Sequence, residues 1–493
     1  GRCLFAPSKV DIAMPDGSNS SAFCHTDDIN IGVYYKNSYY QTPLRNNDGG
    51  KQLYSLTAGE NVTMEPTAKA TEYTVSGITS YGVGIKLNNK LYAGEGDKVS
   101  LKLSGSPTNR YIDSGYHSLP ESDNPYTLTM PQHNTVVMAW KNMHPTELAS
   151  EEDWNIFRML LHEGSDYAGE TVTMTADINS SLIPNYHDKF TFRGTFDGGG
   201  HTLTIAYGSS ENYINKSMAP FYCIENATIR NLVINGSIYS SSRYNGGLVV
   251  RATGSENIIR NCDSHVSISS NIIYGECFNG GFVGQMSTDG THVSFEGCVF
   301  SGIFQGDKAR SWGGFVGLRE YKDNNHNTVS FTDCFVAPTR ASVYTPNATF
   351  FQSPTYTTDG ATYTNCYYQN TFGKIDGGKQ AYGITADKEI TVENAATPSS
   401  DATVGAIGYG VGIKYKNVLY AASDEQLSIT LNYSGSIPEE KLGYYVYNGT
   451  LTGTSNPYTL AMSNQNTVIH AWKQVHPIEI ASTEDWEDFG NAI

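Results

Sequence analysis

The sequence predicts an all-β protein in which a parallel β-helix, or solenoid, alternates with small antiparallel β modules. A short repeat of 33 to 36 residues in the middle of the chain and a long repeat of about 330 residues lead to this prediction. Short repeats with β-type segments are typical of solenoids, in which each coil buries its apolar face against its neighbours. The composition agrees, since tyrosine (34) and glycine (49) are abundant and only 16% of residues are charged.

The short repeat has two recurring elements. A glycine pair followed by apolar residues occurs at 245–249, 279–284 and 312–317, in steps of 34 and 33 residues. Between these pairs, an apolar residue and two polar or small residues precede a cysteine, which falls at Cys262, Cys298 and Cys334 in steps of 36. Leu232 takes the same position one coil earlier. Equivalent positions in successive coils point the same way, so the repeat predicts a stack of cysteines inside the solenoid.

Eight cysteines would also allow disulfide bonds if the protein were secreted. The periodic positions favour buried thiols, because an unpaired cysteine behaves as a small hydrophobic residue. Aligning the long repeat supports this interpretation, since Cys366 matches Ser38 and Cys24 falls near Phe351. A metal site is disfavoured because C-x-x-C spacing is absent from the sequence.

The long repeat sets the domain organisation. The segments 48–52 and 81–86 return 328 residues later, and 124–128, 139–141 and 152–154 return after 332. We therefore expect an internal fragment of a longer array. Its predicted parts are the last coils of a truncated β-helix (1–57), a small β module (58–142), a complete β-helix (143–390), a second module (391–473) and the start of a further β-helix (474–493).

A short amphipathic helix is predicted at residues 150–161, where the complete solenoid begins. Ser150 is placed as an N-cap before three acidic residues, and Trp154, Phe157 and Leu161 recur on one helical face. Such a helix would cover the open end of the solenoid. The alternative, Trp154 as a ligand platform, is less favoured.

The first coils contain a glycine-rich corner at 197–200, between two alternating apolar segments. Asp197 and His201 could be taken for catalytic residues. A tight bend nevertheless needs glycine for positive φ and aspartate to accept from local amides, so a structural turn is the favoured interpretation.

The segments 192–203 and 227–232, followed by the glycine-pair elements, resemble the right-handed β-helices of bacterial surface proteins that carry GLUG-type repeats. The resemblance covers roughly residues 145–370, and it departs from the repeat at Val250, where glycine is usual. It implies a right-handed solenoid and a secreted, adhesin-like protein. The motif is structural and implies no catalytic residues.

The smaller module alternates apolar and polar residues over six or seven short segments, which predicts a β-sandwich or β-grasp-like fold. Its last two strands, at 126–140, are similar to the internalin-type B repeats that space out surface adhesins. Trp140 and Trp472 are predicted to be core residues near the module boundary rather than binding platforms.

Several functions are disfavoured. The net charge of −17 argues against a nucleic-acid partner, and the longest apolar runs are too short to span a membrane. The sequence lacks a G-x-S-x-G elbow, and His265 and His292 are placed in coil strands or turns. The carboxylates Asp263, Glu276, Glu296 and Asp333 look too scattered for a glycosidase, and Asp27, Asp28 and Asp48 form no recognisable calcium loop. We therefore predict no catalytic, cofactor-binding or metal-binding residues.

The sequence thus predicts a non-enzymatic extracellular surface protein, a repeat-built stalk or adhesin, in which repetition multiplies weak contacts. Its partner is expected to be a glycan or protein ligand on a cell surface. The alternative is a carbohydrate-binding or carbohydrate-active β-helix protein, suggested by the tyrosine-rich stretches 34–40 and 363–368. Ordinary sheet composition is the favoured explanation of those tyrosines. Exposed loops such as 319–327 are the other place where function could lie.

Overall fold

The computed structural model divides the chain into two compact units, Gly1–Pro145 and Thr146–Ile493. The structure describes residues 3–5, 38–40, 51–58, 63–70, 78–81, 83–87, 90–104, 109–112, 117–118, 125–140, 144–162, 164–180, 191–271, 277–306, 311–319, 326–338, 340–343, 348–351, 360–370, 374–400, 402–436, 441–473 and 480–492.

The first unit contains two sheets around a core of apolar residues that includes Leu101 and Val137, both fully buried. The larger sheet holds β1–β3, β5–β7, β9, β10 and β12, and the smaller one holds β4, β8 and β11. The strands are β1 (Cys3–Phe5), β2 (Ser38–Tyr40), β3 (Lys51–Ala58), β4 (Thr63–Pro66), β5 (Ile78–Ser80), β6 (Ile85–Leu87), β7 (Lys90–Gly94), β8 (Lys98–Ser104), β9 (Asn109–Ile112), β10 (His117–Ser118), β11 (Tyr126–Thr129) and β12 (Thr135–Trp140).

The second unit begins with a parallel β-solenoid of about four turns, which confirms the predicted solenoid class. Its elements are β13 (Glu147–Leu148), α1 (Glu151–His162), β14 (Thr171–Met174), β15 (Ile178–Ser180), β16 (Thr191–Phe192), β17 (Thr195–Asp197), β18 (Thr202–Tyr207), β19 (Phe221–Glu225), β20 (Thr228–Arg230), β21 (Val233–Ser240), β22 (Tyr244–Gly246), β23 (Val249–Thr253), β24 (Asn257–Arg260), β25 (Asp263–Ser264), β26 (Ser267–Ser270), β27 (Phe278–Gly280), β28 (Val283–Met286), β29 (His292–Glu296), β30 (Val299–Phe300), β31 (Ile303–Gly306), β32 (Ser311–Gly313), β33 (Val316–Arg319), β34 (Thr328–Thr332), β35 (Phe335–Val336), β36 (Arg340–Val343), β37 (Ala361–Thr364) and β38 (Tyr367–Tyr368).

The glycine pairs lie where successive coils touch most closely. The β22, β27 and β32 strands pair in parallel, with Gly246, Gly280 and Gly313 in register. A Cβ atom on the next residue, Gly247, would lie 2.0 Å from the carbonyl oxygen of Gly281. Only glycine fits such a contact, so these pairs are explained by coil stacking.

The predicted cysteine stack is confirmed. Cys262, Cys298 and Cys334 are fully buried, and these three and Cys366 are free thiols. The Sγ of Cys298 donates to the carbonyl of Ile259 in the preceding coil, at 3.2 Å. Burial raises the pKa of Cys298 and Cys334, so both thiols stay protonated and unreactive at neutral pH. Cys24 lies outside the described residues.

Aromatic rings form parallel stacks beside the thiols, as expected when each coil repeats the residue below it. Phe282 and Phe315 stack with ring centroids 5.0 Å apart, and Phe295 and Phe331 do so at 5.3 Å. At the first coils, the α1 side chains Trp154 and Phe157 are fully buried. The Trp154 ring meets Phe221 edge-to-face at 5.8 Å, so Trp154 is a core residue rather than a ligand platform.

The second module follows the solenoid within the same unit. Two sheets enclose a core that includes Ile429, Leu460 and Ile469. Its strands and the last helix are β39 (Lys379–Ala386), β40 (Ile390–Asn394), β41 (Ile407–Gly408), β42 (Ile413–Tyr415), β43 (Val418–Ala422), β44 (Gln426–Tyr433), β45 (Leu442–Tyr447), β46 (Gly449–Thr452), β47 (Tyr458–Met462), β48 (Thr467–Lys473) and α2 (Thr483–Ala492).

The module differs from the antiparallel prediction in one strand pair. β39 runs parallel to β48, although it is antiparallel to β43. β39 also pairs in parallel with β38, so it is both the last strand of the solenoid sheet and the first strand of the module. The predicted solenoid ended at residue 390, so the prediction placed this strand in the solenoid alone. Its alternating pattern suits either sheet, and the sequence therefore did not show that it belongs to both.

The two copies of this join share their contacts. In the first copy, β2 pairs with β3 through Tyr39 and Lys51, as β38 pairs with β39 through Tyr367 and Lys379. Each of these lysines forms an ion pair with a carboxylate of its module, Asp97 or Glu425. The sequence repeat therefore corresponds to a repeated structural connection, in which a parallel strand pairs with the first strand of each module.

Candidate functional site

The most elaborate polar arrangement in the second unit lies where the module packs along the solenoid. We call this surface the junction. The solenoid contributes Asp263, His265, Gly297, Ser301, Asp333 and Tyr367, and the module contributes Ser399, Ala406, Gly408, Gly412, Tyr415 and Glu425.

On the solenoid side, the junction begins with a ladder of corner residues in the left-handed backbone conformation. Asn231, Asn261, Asp333 and Asn365 have φ between 50° and 55°. Asn and Asp tolerate this conformation, and their side chains bond from coil to coil. The Nδ2 of Asn261 donates to Oδ1 of Asn231 at 3.4 Å, and Asn365 donates to Asp333 at 2.5 Å.

Gly297 has the same left-handed backbone as the other corner residues (φ 60°) but no side chain, which leaves a notch for the module. The backbone N–H of Ala406 donates to the carbonyl of Gly297 at 2.9 Å. A side chain at Gly297 would meet the carbonyl oxygen of Ala406 at 2.9 Å. A Cβ on Gly405, whose φ is 80°, would lie 2.1 Å from the Gly297 carbonyl oxygen. Two glycines therefore allow solenoid and module backbones to touch.

Asp333 forms the second docking point. Its Oδ2 accepts from the hydroxyl of Ser399 at 2.5 Å, and a Cβ on Gly408 would overlap its carboxylate. Asp333 is 8% exposed. A buried carboxylate is costly unless it is hydrogen-bonded, so Ser399 and Asn365 stabilise Asp333 in this position.

A third cluster joins Ser301, His265, Asp263 and Tyr415. The Ser301 hydroxyl lies 2.6 Å from Nδ1 of His265, whose Nε2 lies 2.9 Å from Oδ2 of Asp263. The hydroxyl of Tyr415, from β42 of the module, donates to the same Oδ2 at 3.0 Å and lies 3.3 Å from Ser301. With a proton on Nε2, the imidazole donates to Asp263 and its Nδ1 accepts from the Ser301 hydroxyl.

The serine, histidine and aspartate are connected in the order used for nucleophilic catalysis. The surroundings favour docking instead. The N–H of Ser301 donates to the carbonyl of Ser264, so it is not directed at a substrate oxyanion. Tyr415 is 7% exposed and Asp263 5% exposed, and burial together with Asp263 raises the pKa of Tyr415. The cluster therefore acts as a hydrogen-bonded lock between the two folds.

The sequence contains a periodic signal for part of this cluster. Ser301 follows His265 by 36 residues, the step of the cysteines, so the two side chains are neighbours on adjacent coils. Asp263 is two residues before His265, on the same side of the strand. Tyr415 could not be found in this way, because it comes from the module.

The fourth docking point is Tyr367. Its hydroxyl accepts from the N–H of Gly412 at 2.8 Å and donates to Glu425 at 3.0 Å. Glu425 also binds Lys379 at 2.6 Å. Apolar contacts surround these bonds, since Val299 and Phe335 of the solenoid share a core cluster with Ile413 and Ala422 of the module.

Replacing Tyr415 with phenylalanine tests the lock. We expect a loss of about 1.5–3 kcal/mol in the free energy of unfolding, because a hydrogen bond to a buried carboxylate disappears while packing is kept. Chemical denaturation followed by circular dichroism measures this loss. Tyr420→Phe is the matched control, since Tyr420 packs against Phe335 at 4.8 Å and its hydroxyl bonds to no described residue. Equal effects of the two variants would contradict a lock through Tyr415.

Asp197 and His201 behave as turn residues. The carboxylate of Asp197 accepts from the N–H of Gly199 at 3.0 Å, as predicted for the tight bend, and from Arg230 and Asn231. Burial alone would raise the pKa of Asp197, but these donors outweigh burial and lower it. His201 lies 3.3 Å from Asp177.

The Asp197 interaction makes solenoid stability depend on pH. A lowered folded-state pKa contributes stability above the unfolded-state value of about 3.9, and that contribution is lost as the pH falls through the folded-state value. We expect Asp197→Asn to be less stable than the native chain at pH ~6, with the difference shrinking toward pH ~2.5. Urea unfolding at a series of pH values measures it. A difference that stayed constant with pH would show that the charge of Asp197 has no role.

The other candidate residues are separate from the junction. Glu296 pairs with Arg260 at 2.8 Å, and His292 bonds Thr328 at 2.7 Å. Glu276, Asp27, Asp28, Asp48 and most of the loop 319–327 lie outside the described residues. Among the described residues, His, Cys, Asp and Glu side chains form no group suited to a metal ion. None of the described helices is long and apolar enough to cross a membrane.

The tyrosine-rich stretches do not form a glycan platform in the described residues. Tyr39, Tyr40, Tyr367 and Tyr368 are between 1% and 6% exposed. Their burial agrees with the interpretation of those tyrosines as ordinary sheet residues. Trp472 differs from its prediction: it is half-buried at the surface of the module rather than in the core, because it lies on the face of β48 opposite Ile469 and Ala471, which pack against the core. The side chain of Trp140 is outside the described residues.

Comparisons with known proteins are sparse. No protein-family profile matches the sequence, and no curated protein matches it significantly. One similar solved structure comes from Bacteroides ovatus and is described as "a putative immunoglobulin A1 protease". The two share 14% sequence identity over 47% of this chain and 77% of the other, with a TM-score of 0.32. A similarity this low supports no conclusion about activity.

Proposed function

We propose that the chain is part of a non-enzymatic extracellular surface protein, a bacterial stalk or adhesin that displays ligand-binding surfaces. The observation that carries the proposal is the repeated join, in which one strand belongs to both a solenoid sheet and a module. A shared strand and four docking points leave little freedom between solenoid and module in the second unit. A rigid repeating unit extends a stalk with each copy and places weak binding sites at fixed spacing.

The proposal includes the finer features that the GLUG resemblance implies. The solenoid is taken to be right-handed, and α1 is taken to be its cap. The burial of Trp154 and Phe157 against the aromatic rings of the first coils supports a capping role. The engagement of Asp263 and Asp333 in docking bonds favours a binding protein over a carbohydrate-active enzyme.

Small-angle X-ray scattering tests the stalk. We expect the maximum dimension of the chain to grow by the same increment each time a further 330-residue unit is added by tandem duplication. A compact particle whose maximum dimension grew with the cube root of mass would contradict the proposal. Adhesion is tested separately, by coating beads with the native chain and measuring their retention on epithelial cells relative to uncoated beads.

A further inference from the structure

The outer face of the second module carries a row of aromatic side chains. In the ladder between β45 and β48, Tyr445 lies opposite His470, and Tyr447 is one step further along. Tyr447 is 59% exposed, and Tyr445 and His470 are partly exposed. Trp472 ends the row on the same face, opposite Gly443. Alternate residues of a strand share one face, so these four rings lie on the same face of the sheet.

The rings hold one another in place. Tyr445 and His470 stack with centroids 5.0 Å apart and planes inclined by 23°, and Tyr447 stands at 89° to His470 at 5.6 Å. Asp387 fixes the imidazole, because its Oδ1 lies 2.7 Å from Nδ1 of His470. A surface ordered in this way loses little side-chain freedom when a ligand binds.

Gly443 lets the indole of Trp472 lie across β45. A Cβ on Gly443 would lie 2.6 Å from Nε1 and 2.7 Å from Cε2 of Trp472, so any other residue would displace the ring. Tyr447 is four positions after Gly443, which is about 13 Å along an extended strand. This spacing suits an elongated ligand rather than a single small molecule.

The first module provides an internal comparison. In its ladder, Asn109 lies opposite Trp140, and Tyr111 lies opposite Met138. Asn109 and Met138 thus stand where the second module has Gly443 and His470. Asp113, the counterpart of Tyr447 in the sequence, lies outside the described residues. The module fold forms with either set, so the exposed aromatic row is not required for folding.

The charge near the row narrows the choice of ligand. Burial raises the pKa of Tyr445, as do the neighbouring Tyr447, Asp387 and Glu487. The two carboxylates, of which Asp387 contacts His470, place negative charge beside the rings. An anionic ligand is therefore disfavoured. A neutral sugar fits both features, because its C–H face carries partial positive charge toward aromatic faces and its hydroxyls donate to carboxylates.

We propose that Trp472, His470, Tyr445 and Tyr447 form a binding site for a neutral oligosaccharide. The site identifies neutral oligosaccharides as the class of ligand that the displayed surface would bind. Its biological use rests on the display function proposed above. The binding itself is measured without reference to stalk length, so either proposal can fail while the other stands.

Affinity electrophoresis of the full chain tests the site. The probes are native gels containing soluble β-glucan, galactomannan or xylan, with polygalacturonate as the anionic comparison. We expect retardation by at least one neutral polymer and none by polygalacturonate. Tyr447→Asp and Gly443→Asn, which introduce the residues of the first module, should each weaken retardation at least about tenfold, or about 1.4 kcal/mol.

Trp486→Ala is the control variant, because Trp486 is 62% exposed on α2 and lies outside the row. It should bind as the native chain does. Thermal unfolding of the Tyr447 variant should match the native chain, since that side chain is exposed. Retardation by none of the neutral polymers, or equal retardation of the native chain and both row variants, would overturn the proposal.

Discussion

Replacing Gly405 with alanine is expected to release the second module from the solenoid. The new Cβ would lie 2.1 Å from the Gly297 carbonyl oxygen, and both partners in this contact are backbone, so no flexible side chain can move aside. We expect about 2–5 kcal/mol of destabilisation, from backbone strain of about 1–2 kcal/mol and overpacking of about 1–3 kcal/mol. Calorimetry should show a separate, earlier transition for the module.

Gly410→Ala is the matched control for this variant. Gly410 has φ 79°, close to the 80° of Gly405, but a Cβ there meets nothing within 4 Å. It should therefore show the backbone strain alone. Hydrogen exchange at 399–425 should increase in Gly405→Ala and stay near native in Gly410→Ala. If the two variants behaved alike, the notch at Gly297 would not hold the module.

Replacing Trp154 with alanine should have a comparably large effect at the other end of the solenoid. Trp154 is fully buried and contacts Phe157, Phe196 and Phe221 at centroid distances of 5.5 to 5.9 Å. Removing a buried aromatic ring costs about 3–5 kcal/mol. Each coil of a solenoid is stabilised by its neighbours, so the loss should be concentrated in the first coils. Hydrogen exchange of β14–β19 and urea unfolding measure it.

The long repeat supplies the control for Trp154. Trp486 occupies the equivalent position in α2, 332 residues later, but is 62% exposed. Trp486→Ala should change the free energy of unfolding by no more than about 0.5 kcal/mol. A similar loss from both substitutions would mean that helix propensity, and not packing on the coils, determines the effect.

The solenoid could be predicted because its physical causes are periodic. Gly247 and Gly281 recur where a Cβ has no room, and Cys262 and Cys298 recur where the interior repeats itself. The helix at Glu151–His162 was visible because capping and apolar spacing are local signals. The finer features, including handedness, remain predictions.

The junction could not be predicted, because it joins residues with no shared period. Asp263 and Tyr415 are 152 positions apart. In the sequence, Gly297 differs from the other corner residues only in being glycine where they are Asn or Asp. The position of Trp472 was missed for a related reason. It lies on the outer face of β48, and a strand with apolar residues on both faces, such as Val468 and Ile469, does not show by itself which face packs against the core.

The strand β39 also bears on how such a chain avoids misfolding. The last strand of a parallel sheet offers unpaired N–H and C=O groups to any other strand, and neighbouring copies of similar sequence are the most readily available partners. Here β38 is paired with β39, which is itself paired with β43 and β48. Because the module occupies that edge, tandem duplication can lengthen the chain without leaving this sheet edge open in each new copy.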